Sequence, residues 1–177
     1  MSNFIEIKYP KDSFKEYQKE ILSKNKLELF FKMAFINLEK YTFAIVDIGN
    51  FVSLSNIENI NSFYLLKVIA DVVVGMIETE NRYLFIGEYK IDSRYIMCNT
   101  KDKNIMMLYV PYLYSSKREI VEDIKKLIIE SLPKISAHDR KSKVLEKALD
   151  FIEISGGDLK LVSCKFNRIY YDEKIRK

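Results

Sequence analysis

The chain has 177 residues and a mass of 20.9 kDa, enough for one domain with a sizeable core. Its 5 glycines, 3 prolines and single histidine, with no tryptophan, are few against a usual share of roughly 12% for glycine and proline together; with Gly49, Gly75 and Gly87 isolated, Gly156 and Gly157 adjacent and His138 alone, a Gly-rich phosphate cradle and a multi-histidine metal centre are excluded. The net charge of +4 is uneven: residues 1–60 balance at 8 basic and 8 acidic side chains and residues 61–114 at 6 and 6, whereas residues 115–177 carry 15 and 11.

Taken in chain order, Phe4 to Tyr9 alternates as a strand does, and Pro10 and Asp12 punctuate it. Ser13 and Glu16 form a capping box before a helix whose Phe14, Tyr17, Ile21 and Leu22 share one face, ending near Asn25. Leu27, Leu29, Phe31, Met33 and Phe35 occupy every second position, and a turn over Asn37 to Lys40 leads to Tyr41, Phe43 and Ile45, which predicts a hairpin. Asn61 to Met76 is apolar at helical spacing on more than one side, as a buried central helix is. Arg82 to Ile91 is aromatic and β-branched, and Arg94 to Asn99 with Asn104 to Val110 predicts a second hairpin, closed by Thr100 to Lys103 and ended by Pro111.

Three helices follow. Ser116 and Glu119 form a second capping box for a helix with Ile120, Val121, Ile124, Leu127, Ile128 and Leu132 inward, stopping before Pro133. The next runs from about Asp139 to Ile154, with Val144, Leu145, Ala148, Leu149 and Ile152 on one face and Gly156-Gly157 as its stop. A short last helix spans Asp158 to Phe166. The fold class is α+β: a β-rich lobe over 1–60, a helical lobe with one hairpin over 61–166, together a single domain, and a basic tail over 167–177.

The chemistry is sparse. Cys98 and Cys164 read as free thiols in a reducing, cytoplasmic setting. The apolar stretches Phe63 to Ile77 and Ile120 to Leu132 contain Lys67, Asp71, Lys125 and Lys126 and fall short of a membrane span. Glu78, Glu80, Glu88 and Asp92 read as a solvated rim rather than an acid–base pair, and His138 as a turn or capping residue. Lys165, Arg168, Lys174, Arg176 and Lys177 against Asp172 and Glu173 make a candidate basic patch for nucleic acid or acidic lipid. Lysine outnumbers arginine 23 to 6, whereas phosphate and base readout favours arginine, so a solvated terminus is expected and nucleic acid is not an expected partner. No cofactor is expected. Tyr109, Tyr112 and Tyr114, close together after the hairpin, are the candidate contacts for another protein, since exposed aromatics on a rigid element are what interfaces use.

The phrases Phe43-Ala44-Ile45-Val46-Asp47-Ile48, Ile91-Asp92-Ser93-Arg94-Tyr95-Ile96 and Met107-Leu108-Tyr109-Val110-Pro111, with the long helix between the first two, resemble the uncharacterised bacterial domain found in front of FHA modules. The likeness spans Phe4 to about Ile154. The 177 residues leave no room for the FHA module, so no phosphothreonine-binding role is carried over. That family in turn resembles the pseudokinase-like cytosolic domain of the YukC/EssB component of type VII secretion, which implies a degenerate protein-kinase-like fold. On that resemblance the hairpin stands where a kinase keeps its catalytic loop and metal-binding strand. A kinase there needs an aspartate for the substrate hydroxyl, an asparagine and a second aspartate for magnesium, a lysine on the phosphates and a Gly-rich loop. The corresponding places read Glu88-Tyr89-Lys90, Tyr95 and Tyr109-Val110-Pro111. None of the required side chains is among them, and the resemblance implies a scaffold or interaction domain rather than an enzyme.

Overall fold

In the computed structural model, which describes residues 3–24, 27–99, 101–136, 139 and 143–175, two small sheets precede a helical body. The first sheet holds β1 (Phe4–Pro10), β2 (Met33–Asn37) and β3 (Tyr41–Asp47), with β3 in the middle and antiparallel to both. Alternation sets its face: Thr42, Ala44 and Val46 of β3 point inward and are buried. Helix α1 (Glu16–Lys24) connects β1 to β2. It begins later than the capping box predicts, after a 3-10 turn at Lys11–Ser13, and the Gln18 side chain caps it instead by accepting from the Lys15 N–H at 2.9 Å.

The second sheet has the order β4 (Phe51–Ser53), β5 (Ile96–Asn99), β6 (Ile105–Met107), all antiparallel. The predicted hairpin is there, tightened by the Asn99 N–H on the Asn104 carbonyl at 2.9 Å, while Thr100 lies outside the described residues. The predicted strand over Leu27 to Phe35 is strand only from Met33. Upstream of it the chain leaves the first sheet and runs beside β6: Phe31 N–H donates to the Met107 carbonyl at 3.2 Å and Met107 N–H to the Leu29 carbonyl at 2.6 Å. Leu27, Leu29, Phe30 and Phe31 are all buried there, enclosed on both sides, so the two-residue period marks burial and not membership of the first sheet. Arg82 to Ile91 forms turns rather than a strand, with Leu84, Tyr89 and Ile91 each buried as separate anchors.

Helix α2 (Ser62–Glu80) is the centre of the molecule. The Asn61 side chain caps it, accepting from the Phe63 and Tyr64 N–H groups at 2.9 and 3.2 Å. Leu65, Leu66, Val68, Ile69, Ala70, Val72, Val73 and Met76 are enclosed on it. Gly75 lets Leu29 lie against the helix, since a Cβ there would stand 2.9 Å from Leu29 Cδ1. Helix α3 (Lys117–Ser131) starts where predicted. Ser116 Oγ accepts from the Glu119 N–H at 3.4 Å and the Glu119 carboxylate from the Ser115 N–H at 3.1 Å. Its predicted inner face is buried except Leu132, which lies exposed in the 3-10 turn Leu132–Lys134.

Helix α4 (Val144–Ile154) buries Val144, Leu145, Ala148 and Ile152 and ends where Gly156 and Gly157 take φ of 61° and 90°. Of the earlier start predicted for it, residues 140–142 lie outside the described residues. Helix α5 (Leu159–Ile175), capped by Asp158, runs past Phe166 and packs along α2 with Val162, Phe166 and Ile169 buried. Residues 167–175 therefore continue the helix, with Ile169 buried in it.

Candidate functional site

The hairpin and the segment before it bring together the positions singled out in the sequence on the kinase resemblance. Residues 87–90 run antiparallel to 110–114, with the Lys90 N–H on the Val110 carbonyl at 2.9 Å, the Tyr112 N–H on the Glu88 carbonyl at 3.1 Å and the Tyr114 N–H on the Gly87 carbonyl at 2.9 Å. Leu108 N–H reaches the Tyr95 carbonyl at 2.9 Å. Glu88, Tyr89, Lys90, Tyr95, Tyr109 and Pro111 thus share one small region.

Each of the main side chains there is held by neighbours. Glu88 receives Lys15 Nζ on Oε1 at 2.6 Å, and on Oε2 the Tyr17 hydroxyl at 2.8 Å and Gln18 Nε2 at 3.0 Å. Burial alone raises the Glu88 carboxyl, but these hydrogen bonds outweigh it and hold the group below the usual carboxylate range. Tyr89 is fully enclosed; its hydroxyl meets Thr79 Oγ1 at 3.3 Å, and because Thr79 spends its own proton on the Met76 carbonyl, Tyr89 is the donor. The Tyr109 hydroxyl donates to the Glu88 carbonyl at 3.2 Å, and the Tyr109 carbonyl accepts from the Tyr9 hydroxyl at 3.4 Å. Desolvation pushes the phenols of Tyr9, Tyr89 and Tyr109 well above their ordinary range, so all three stay neutral donors.

These rings belong to one cluster. Phe30 lies 4.9 Å from Tyr89 and 5.3 Å from Tyr109, Phe14 lies 5.9 Å from Tyr109, and Tyr9 and Phe35 each lie 4.9 Å from Phe14. The cluster joins β1, β2 and the turn before α1 to the hairpin. Its members come from four separate segments, and no local pattern in the sequence announces it.

The three tyrosines expected to meet a partner part company. Tyr109 is buried in the cluster and is not a surface residue. Tyr114 is nearly enclosed, its hydroxyl bonded to Asp123 and accepting from the Ile91 N–H at 3.0 Å. Tyr112 remains 43% exposed beneath Lys90 Nζ, 4.4 Å from its ring, and Leu113 beside it is 81% exposed. Lys90 itself is paired with Asp123 at 2.5 Å. Of the basic patch, Lys165 Nζ sits 5.3 Å from the Phe151 ring and Arg168 pairs with Asp172 at 3.6 Å. The Lys174 side chain, Arg176 and Lys177 lie outside the described residues, as does His138.

The four carboxylates of the expected rim do not form one site: Glu88 is bound to α1 and its preceding turn, and Asp92 is gripped by the Arg94 guanidinium at 2.6 and 2.8 Å. Among the described residues no three metal-ligating side chains converge. Both cysteines are free; burial pushes the Cys98 thiol up to about 11, while Cys164 is exposed. No helix among the described residues is long and apolar enough to cross a membrane. One feature absent from the sequence reading is a groove of about 1080 Å³ along α2.

No family model matches the sequence, and no curated protein matches it. Among solved structures, the EssB cytoplasmic fragment of Staphylococcus aureus is similar over 92% of this chain and 98% of that one, with a TM-score of 0.55 at 16% identity. An apo pseudokinase is similar over 93% of this chain and 80% of that one, with a TM-score of 0.59 at 14% identity. The chain therefore has a kinase-like α+β fold, and at these identities the likeness is one of fold.

Proposed function

We propose that this is a non-catalytic kinase-like domain that binds another protein in the cytosol. The observation that carries the reading is the use made of the kinase-equivalent positions. Glu88 is tied down by Lys15, Tyr17 and Gln18, and Tyr89 and Tyr109 are packed inside an aromatic cluster. A carboxylate held below its usual pKa by three donors is a poor proton acceptor at neutral pH. A protein kinase also needs a strand lysine paired with a helix glutamate. Here Lys8 of β1 lies over the Tyr41 ring at 3.6 Å, while Glu16 and Glu20 of α1 pair with Lys19 and Lys24 of the same helix.

The surface offered to the partner is the exposed part of the same region, Tyr112 and Leu113, with Tyr83 and Phe85 on the nearby turn. Tyr83 is 71% exposed and holds φ at 63°, a conformation that costs a non-glycine residue free energy and is kept where the surroundings impose it. The likeness of fold to a pseudokinase and to the EssB cytoplasmic fragment supports the same reading. The test is thermal unfolding with millimolar Mg-ATP. The reading expects an unchanged melting temperature; a dose-dependent rise of several degrees contradicts it, because a ligand of the native state must stabilise it.

A further inference from the structure

Helix α2 is mostly enclosed but leaves one long stripe uncovered. Tyr64, Lys67, Asp71 and Val74 are half-buried and Glu78 is exposed, at steps of three and four residues that keep them on one face. The stripe is about 21 Å long at the usual helical rise. It floors the groove of about 1080 Å³, larger than the roughly 300–1,000 Å³ typical of small-molecule sites. The walls come from the hairpin tip between Asp102 and Met106, from Glu28 and Leu29, and from Tyr170 of α5. Gly75 keeps the floor low and Leu29 close.

The charge of the groove is opposite to that of the chain. Its described residues carry four carboxylates, Glu28, Asp71, Glu78 and Asp102, and two ammonium groups, Lys67 and Lys103. Lys67 is already bound to Asp71 on its own helix. On a molecule of net charge +4 this is a negative concavity, which concentrates cations and repels nucleotides and other phosphates. Between the charges lie Val74, Ile105 and Met106, with Phe51 and Ile57 beyond them, so an occupant must be apolar as well as cationic. A partner strand is not the natural occupant, because β6 already has Leu29 to Phe31 hydrogen-bonded beside Met107. A long stripe at helical spacing between walls fits a helix laid in a groove.

We propose that the α2 groove docks a cationic amphipathic helix of a partner protein, its apolar face on Val74, Ile105 and Met106 and its basic residues on Glu28, Asp71, Glu78 and Asp102. This is a second surface, beyond the one formed by Tyr112 and Leu113. The probe is an 18-residue leucine–lysine peptide patterned as an amphipathic helix, titrated into the full chain while backbone amide shifts are recorded. Binding with a Kd of about 1–100 µM is expected, weakening with salt, with shifts along the α2 stripe and the hairpin tip. The double variant Asp71→Lys, Glu78→Lys is expected to bind about tenfold more weakly while its melting temperature stays within about 3 °C of the wild type. If that variant fails to fold, Glu28→Lys with Asp102→Lys serves in its place with the same expectation. The proposal is overturned if the lysine peptide does not bind, if a glutamate-for-lysine version or a scrambled version binds as well, or if the shifts fall elsewhere. It is equally overturned if the groove resonances move on raising protein concentration alone, which makes the occupant a second copy of the chain. The Mg-ATP melt reads neither outcome, so the two proposals fail separately.

Discussion

The two sides of the β5–β6 hairpin have opposite fates. At its base, Tyr89 and Tyr109 pack with Phe30, Phe14, Tyr9 and Phe35, and Glu88 is locked to α1 and Lys15. At its tip, Asp102 to Met106 overhang α2 and leave a groove with charged, half-exposed side chains. Both are made by the same short hairpin, so the difference lies in what arrives from elsewhere. Aromatic rings from residues 9–35 fill the base, and no described segment fills the tip. The base of the hairpin is a structural joint, whereas its tip leaves a groove along the outside of α2.

The contrast can be broken most forcefully at the joint. Tyr109→Ala removes a fully enclosed ring and is expected to cost about 3–5 kcal/mol, a fall in melting temperature of about 10 °C for a domain of this size; a fall within about 2 °C would mean the cluster does not hold the two parts together. Glu88→Gln is expected to cost about 1–2 kcal/mol, since charge-assisted hydrogen bonds to a partly buried group are lost, and it carries a pH signature. Because the folded Glu88 carboxyl lies below its ordinary value of 4.5, its contribution is present above that pH and lost as the pH falls through the depressed value. Denaturant titrations of the wild type should therefore steepen their loss of stability below about pH 4.5 relative to Glu88→Gln.

A smaller effect sharpens the other side. Gly75→Ala gains roughly 1 kcal/mol of helix propensity, but its Cβ meets Leu29 at 2.9 to 3.2 Å, and overpacking costs about 1–3 kcal/mol. A net loss of about 1 kcal/mol is expected, measurable by urea unfolding with an unchanged slope. Smallest of all, Asp71→Lys with Glu78→Lys should cost about 0.5 kcal/mol through the lost Lys67–Asp71 pair while changing what the groove binds. A large loss of stability there would show the stripe to be part of the core.

Much of this was legible in the residues, and the limits have physical causes. The Asn61 and Ser116 starts, the buried faces of α2 and α3 and the β5–β6 hairpin follow from capping chemistry and periodicity, which act within a few residues. The course of Leu27 to Phe31 was not legible, because a chain enclosed by two sheets shows the same alternation whichever it joins. The length of α5 was missed because Arg168 and Asp172 make residues after Phe166 look like a solvated tail, although Ile169 is buried. The clamp on Glu88 comes from residues 70 to 73 positions away, and the burial that separates Tyr109 from Tyr112 depends on Phe14 and Phe30. The packing of Tyr89 and Tyr109 likewise appears only when those distant rings are in place.

The most direct measurement is a calorimetric titration of Mg-ATP into the full chain. A joint filled by Tyr89, Tyr109 and Phe30 predicts no saturable heat up to millimolar nucleotide. Saturable binding with a Kd below about 1 mM, abolished by Glu88→Gln, would mean that the base of the hairpin still opens to a nucleotide and that it is not a structural joint.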